Sequence, residues 1–311
     1  MIYIRCRKDT LSATNMFIDS YIGYLKVERN FSAHTLRAYE SDLKAFRAHL
    51  AGLDESLSIV DADIDILRMW VASLMDAGAA PSSVCRKLSA LRSFYRYLCS
   101  ENFADSNPAV SLQGPKRRKK LPSFIKESEM NALIDEVSFG EGYAACRDRM
   151  IVVMFYETGM RLSELVGLDV EDIDMSASVI KVLGKRNRER IIPFASELKR
   201  ELVAYLECRE KIADIGSSAL FLSVRGDRIS HSSVYRMVRG QLSRVSSVKK
   251  KSPHVLRHSF ATAMLNNDAE LGAVKELLGH KRLATTEIYT HLTFEELKRS
   301  YEKAHPRAGV N

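Results

Sequence analysis

Between Ser252 and Tyr289 helical patterning is broken at short intervals, each time by residues that leave the backbone little choice. Ser252 followed by Pro253 reads as a helix N-cap and first helical residue, where the missing N–H of proline costs nothing. Leu256, Phe260 and Met264 then recur at helical spacing as a buried stripe, while His254 and Arg257, three residues apart, share another face of the first turn. A helix N-terminus of this kind attracts phosphate through its free N–H groups and its dipole. The spacing predicts a second helix over about 269–278, with Asp268 as N-cap and Leu271, Val274 and Leu278 buried. Gly279 supplies a left-handed stop, so His280 leaves the helix aimed by backbone. Thr285 or Thr286 can cap a third helix, with Ile288 and Leu292 on its core side and Tyr289 on a different one. Three successive helix ends therefore deliver two His, an Arg and a Tyr.

A chain of 311 residues exceeds what one hydrophobic core usually holds, so two domains are expected. The net charge of +8 is not spread evenly. Residues 106–126 carry six basic side chains and no acid, residues 184–190 a net +3, and residues 244–257 five basic side chains and no acid. Positive charge gathered into three loops is the footprint of a polyanion ligand. No apolar run reaches membrane-spanning length, and residues 1–10 lack a signal-peptide core, so no membrane association and a cytoplasmic location are expected. Cys6, Cys85, Cys99, Cys146 and Cys208 are scattered and read as reduced thiols. There is no phosphate-binding Gly-x-x-x-x-Gly-Lys-Ser/Thr loop. His254 and His258 have zinc-like spacing but lack a third ligand and a carboxylate base, so neither metal nor cofactor is expected.

Along the chain, Ser32 opens a helix with Leu36, Tyr39, Leu43, Phe46 and Leu50 at three- and four-residue steps. Asp61, Asp63 and Asp65 precede a helix containing Leu67, Trp70 and Leu74, and read as caps and dipole partners rather than as a metal site. Ser82 or Ser83 caps a third helix that buries Val84, Leu88, Leu91, Tyr95 and Leu98, leaving Arg86, Arg92 and Arg96 for other faces. Asn107-Pro108 ends this region. The basic run Lys116, Arg117, Arg118, Lys119 and Lys120, bounded by Pro115 and Pro122, reads as an interdomain linker. Residues 146–158 form an apolar helix ended by Gly159, and Arg161 stands at the mouth of a short helix over 163–167. Residues 179–183 and 190–193 are strands flanking a hairpin with a basic tip. A helix over about 197–212 follows, and Ser232 or Ser233 caps another.

The order His-x-x-Arg, Leu-Leu-Gly-His and Ile-Tyr-Thr-His, with Thr158 to Leu165, the hairpin Gly184 to Arg190 and the tail His305-Pro306-Arg307-Ala308, resembles the tyrosine recombinase (phage integrase) family, in particular its XerC/XerD branch. The likeness runs from about Ser12 to Ala308. It implies a mainly α fold with a small β-sheet or hairpin: a helical, SAM-like core-binding domain at 11–104, a basic linker at 105–122 and an α+β catalytic domain at 123–311, closing on DNA as a two-domain clamp. It implies a site-specific recombinase, independent of metal and nucleotide, with Tyr289 as nucleophile forming a 3′-phosphotyrosyl intermediate, His254 as base, Arg161, Arg257 and His280 on the phosphate oxygens, and Lys185 as acid. Arg86, Arg96, Lys116, Arg117, Arg118, Lys119, Lys120, Arg186 and Arg188 become DNA-contact candidates. The implied partners are double-stranded DNA bearing recombination half-sites and further subunits, as a homo-tetramer or with a second recombinase, resolving a Holliday junction in chromosome dimer resolution. Phe294, Leu297 and Tyr301 form an apolar stripe expected to dock on a neighbouring subunit. Departures from the family's pattern are Arg186 and Asp268, where Gly is common, and Lys275, where Gln is. The rival readings are a mobile-element integrase of the same chemistry, a type IB topoisomerase and a non-catalytic DNA-binding regulator.

Overall fold

The Asp63 carboxylate shows how this sequence starts its helices: it accepts the backbone N–H groups of Asp65 and Ile66, both at 2.9 Å, and so satisfies two donors that a first turn leaves open. The computed structural model describes residues 10–116, 123–184, 189–212, 216–279 and 294–308, in a chain that divides into two units, 1–120 and 121–311. The calls on Thr285, Thr286, Ile288 and Leu292, and on the side chain of Phe294, fall outside the described residues.

The first unit holds α1 (Thr10–Val27), α2 (Ala33–Leu53), α3 (Ile64–Asp76) and α4 (Pro81–Ser100). The helix α1 precedes the first one singled out from periodicity, and it exists because Ile18, Tyr21 and Leu25 repeat at helical spacing and are buried. Leu43, Phe46 and Leu50 of α2, Leu67 and Trp70 of α3, and Val84, Leu88, Leu91, Tyr95 and Leu98 of α4 are buried as their periodicity requires. Trp70 packs its ring 4.8 Å from that of Phe46. The N-cap of α4 is Ala80 rather than Ser82 or Ser83, because Pro81 occupies the first helical position.

Part of the stretch read as linker is built into this unit. Ala109 and Leu112 are buried in its core, Arg92 Nε donates to the Ala109 carbonyl at 3.0 Å, and Asn107 Nδ2 donates to the Arg92 carbonyl at 3.0 Å. Apolar side chains at 109 and 112 give the segment something to bury, which the basic run after it lacks.

The second unit runs α5 (Glu127–Asn131), α6 (Gly142–Thr158), α7 (Leu162–Gly167), β1 (Ile173–Asp174), β2 (Val179–Leu183), β3 (Glu189–Pro193), α8 (Ser196–Glu210), α9 (His231–Val245), α10 (Pro253–Asn266), α11 (Leu271–Leu278) and α12 (Phe294–Ala304). The strands form one antiparallel sheet in the order β1-β2-β3, with Leu183 opposite Glu189 at the end that carries the hairpin. Met150 to Tyr156 are buried without interruption, so α6 is the central helix against which the unit packs. Ser230, not Ser232 or Ser233, caps α9, its Oγ accepting from the Ser233 N–H. No helix among the described residues is long and apolar enough to cross a membrane.

Two expectations around α11 change. Its N-cap is Glu270, because Asp268 sits in the left-handed region at φ 61° as part of the turn that leaves α10. That conformation is why glycine suits this position, and Asp is among the residues that tolerate it. The buried stripe is Ala273, Val274, Leu277 and Leu278, whereas Leu271 is 54% exposed.

The stripe on α12 is covered within the chain itself. Leu297, Tyr301 and Ala304 are buried with Phe260, Met264, Ala273, Val274 and Leu277, so α10 and α11 of the same molecule take the place expected of a neighbouring subunit. The following tail is anchored as well. His305 Nδ1 accepts the Arg307 N–H, leaving Nε2 to donate to the Tyr156 carbonyl at 3.2 Å, and Arg307 pairs with Asp135 and Glu197.

Candidate active site

Three helix ends converge in the second unit, and guanidinium groups tie them together. Helix α6 stops at Gly159, whose φ of 59° is the left-handed conformation of a helix C-cap. Two residues later Arg161 is extended and serves as the N-cap of α7. Glu164, in the first turn of α7, reaches back so that its Oε2 accepts the Arg161 N–H at 2.6 Å, and its Oε1 accepts Arg161 Nη1 at 2.6 Å.

The same carboxylate accepts Arg190 Nη1 at 2.6 Å and Nη2 at 2.8 Å. Burial works to raise the Glu164 pKa, but hydrogen bonds and charge from Arg190 and Arg161 outweigh it and hold the group down at about 2. Because the folded value is depressed, the stability this carboxylate contributes is present above its usual range and is lost only as pH falls towards 2.

Arg257, on the second turn of α10, is 5% exposed. Its Nη1 donates to the Gly159 carbonyl at 2.7 Å and its Nη2 to the Leu278 carbonyl. Burial first, and then the neighbouring charge of Arg161, bring its pKa down to about 10, which leaves it cationic at neutral pH. The C-terminus of α11 thus receives three guanidiniums on successive carbonyls: Arg190 Nε on Leu277 at 3.0 Å, Arg257 Nη2 on Leu278, and Arg161 Nη2 on Gly279 at 3.0 Å. Those carbonyls have no partners within the helix and lie at the negative end of its dipole, so they are natural acceptors for cations.

Among the described residues this cluster sets three guanidiniums against one carboxylate. That excess of positive charge favours an anion, and Arg161, with 36% of its side chain exposed, is where an anion can reach it.

His254 lies one turn before Arg257 on α10 and is exposed, with its ring 4.7 Å from that of His258. Partial burial, then His258, Lys250 and Arg257, lower its pKa, so the imidazole is neutral at pH 7 and able to accept a proton. Ser252 is the backbone N-cap of this helix, yet its Oγ accepts no hydrogen bond from the first turn.

Of the six candidate catalytic residues, Arg161 and Arg257 are brought together and His254 is placed one turn away on the same helix. Lys185, His280 and Tyr289 lie outside the described residues, as do Arg117, Arg118, Lys119, Lys120, Arg186 and Arg188. In the first unit Arg96 and Lys116 are exposed. Arg86 is paired with the buried Asp42 and also donates to the Ala38 carbonyl at 3.3 Å, so it braces α4 on α2. Glu164 and Arg190 were not picked out from sequence. The available signal was the Arg-x-x-Glu spacing at a helix start, which is that of a capping box.

Residues 123–296 match the Phage integrase family, and residues 18–102 match the Phage integrase, N-terminal SAM-like domain. The chain belongs to the phage integrase family. It is 40% identical over 301 residues to the tyrosine recombinase XerC of Pelotomaculum thermopropionicum, covering 94% of this chain and 98% of that protein. To the tyrosine recombinase XerD of Staphylococcus epidermidis it is 34% identical over 299 residues, covering 94% and 100%. These relatives make this member of the phage integrase family a site-specific tyrosine recombinase.

The fold agrees. The XerH site-specific recombinase bound to palindromic difH substrate in a post-cleavage complex superposes with a TM-score of 0.70 at 21% identity, covering 93% of this chain and 82% of that one. A lambda integrase tetramer bound to a Holliday junction gives 0.66 at 20% identity, covering 92% and 82%.

Proposed function

We propose that this recombinase cuts and rejoins duplex DNA at specific half-sites through a 3′-phosphotyrosyl intermediate and a Holliday junction, as one of four subunits, in the resolution of chromosome dimers. The observation that carries the reading is the Arg161–Glu164–Arg190–Arg257 cluster: fixed cations, one of them open to solvent, in the unit whose sequence brings Lys185, His254, His280 and Tyr289 in the family's order. The XerC and XerD likeness supports the chromosomal role.

In this scheme Tyr289 Oη attacks the scissile phosphorus, the bond to the 5′ oxygen breaks, and the DNA keeps its 3′ phosphate on the enzyme. A phenol of unperturbed pKa near 10 resists ionisation by about 4 kcal/mol at neutral pH. His254, held neutral, takes that proton. Arg161 and Arg257 bind the non-bridging oxygens as charge builds on them, and their planar forks suit a phosphate better than an ammonium would. His280 donates to the same oxygens. Lys185 protonates the departing 5′ oxygen, which a guanidinium, with its far higher pKa, cannot do. The phosphotyrosine retains the energy of the broken ester, so a 5′ hydroxyl from a partner strand reverses the step without a nucleotide.

The test is covalent trapping on a nicked suicide duplex carrying the half-sites. The wild-type chain is expected to accumulate a DNA adduct that maps to Tyr289, and Tyr289→Phe to bind the duplex with unchanged affinity while forming none. An adduct at another residue, or undiminished activity in Tyr289→Phe, would rule the mechanism out. Supercoil relaxation without recombinant product would point instead to a topoisomerase.

The lowered pKa of His254 fixes the sign of the pH dependence. Protonation removes the base, so the cleavage rate falls on the acid side. Because burial and neighbouring cations depress the pKa, that fall comes below the usual imidazole range of about 6.5. A single-turnover profile whose acid limb is centred at or above that value, or is unchanged in His254→Gln, contradicts the assignment.

A further inference from the structure

The cluster contains one cation to which the proposed scheme gives no role. Arg190 is the second residue of β3, on the strand that leaves the hairpin carrying Lys185. Its side chain is 14% exposed and each of its three nitrogens donates: Nη1 and Nη2 to the two oxygens of Glu164, at 2.6 and 2.8 Å, and Nε to the Leu277 carbonyl at 3.0 Å. It also lies against the turn that ends α11, where a Cβ added to Gly279 would stand 3.2 Å from Arg190 Cδ and 3.3 Å from Nη1. One planar group therefore touches the strand it belongs to, α7 and the end of α11.

Glu164 closes the loop, since the oxygens that receive Arg190 also receive the backbone and side chain of Arg161, and Arg161 in turn donates to the Gly279 carbonyl. Each of these anchors is next to a residue with work to do. Leu183 and Glu189 are paired at the root of the hairpin, His280 follows Gly279 directly, and Arg161 meets the phosphate in the proposed scheme.

We propose that Arg190 is a positioning residue for strand cleavage, tying β3, the strand that follows Lys185 in sequence, to Arg161 through Glu164 and to the end of α11 that precedes His280. The inference rests on the reading given under Proposed function. An acid and its leaving oxygen need placement within a fraction of an ångström, and the strand that follows Lys185 in sequence is tied to α7 and to the end of α11 through this fork. The role needs the guanidinium and not merely its charge: three donors in one plane match a carboxylate and a carbonyl together, and an ammonium, a point charge on a shorter arm, does not.

The experiment compares wild type, Arg190→Lys and Arg190→Gln in single-turnover adduct formation at saturating suicide duplex, on an ordinary phosphodiester and on one whose bridging 5′ oxygen is replaced by sulfur. A thiolate leaves without a proton, so misplacement of Lys185 does not slow that substrate. Arg190→Lys is expected to form the adduct about 10- to 100-fold more slowly on the phosphodiester, with DNA affinity within about twofold of wild type, and to recover most of the loss on the sulfur substrate. Arg190→Gln is expected to behave the same way.

Rates are scaled to the fraction of protein that binds DNA, so a variant that folds poorly still gives a ratio between the two substrates. Wild-type rates in Arg190→Lys overturn the proposal by showing that charge alone suffices. An equal defect on both substrates overturns it by showing that the hairpin's acid is not what Arg190 serves. If wild type itself forms no adduct at Tyr289, the underlying mechanism has failed and this inference goes with it, a result distinct from the other two.

Discussion

Arg257→Lys is expected to slow covalent adduct formation by about a hundred- to a thousandfold, the range seen when one preorganised donor to a developing oxyanion is removed. The variant keeps a positive charge, so simple electrostatics predicts a mild effect. Geometry argues otherwise. Arg257 Nη1 holds the Gly159 carbonyl at the end of α6 and Nη2 holds the Leu278 carbonyl at the end of α11, and in the proposed mechanism the same guanidinium also faces phosphate. A lysine ammonium cannot hold both helix ends in these directions and present a flat donor edge to a phosphate. The buried carbonyl it releases costs about 1–3 kcal/mol on top of the catalytic loss. Single-turnover trapping and denaturant unfolding read the two effects separately. Adduct formation within tenfold of wild type would remove Arg257 from the phosphate site.

Gly159→Ala is expected to destabilise the second unit by about 2–5 kcal/mol. Roughly 1–2 kcal/mol comes from forcing an L side chain into the left-handed region at φ 59°. The remainder is overpacking, about 1–3 kcal/mol, since the new methyl would run into the Phe260 ring and stand 2.9 Å from Leu278 Cδ2. Phe260 and Leu278 lie in α10 and α11, and both are buried with the α12 stripe, so neither can retreat cheaply. Against a typical total of about 5–15 kcal/mol this is a large loss. The Gly159 carbonyl would shift away from Arg257 as the turn opens, so cleavage is expected to fall even where the protein remains folded. A denaturant midpoint that implies less than about 1 kcal/mol of loss would show that the turn relaxes freely.

Much of this protein could be read from its residues. Ser32, Asp63, Pro253, Gly159 and Gly279 act through their own backbone or nearest neighbours, so the helix starts and stops they dictate survive folding, and the stripes Leu43-Phe46-Leu50 and Leu256-Phe260-Met264 needed only periodicity. The motifs around Arg161, His254 and Arg257 were legible in the same way, and the family they suggested is the one to which the chain belongs. Misreadings came where a position's meaning depends on something distant. Leu271 is apolar but lies on the open side of a helix whose start was placed two residues early, and Asp268 looks like a cap only until the turn before it is built.

The sequence by itself determined most of the helices and the order of reactive groups, because these follow from local dihedral preferences, periodicity and spacing along the chain. Only the tertiary structure decided that α12 covers its stripe on its own chain, that residues 109–112 belong to the first core, and that Glu164 and Arg190 join the site. These are contacts between segments far apart in sequence, and which donor meets which carbonyl is fixed by packing around α6 and not by any pattern a single stretch can carry.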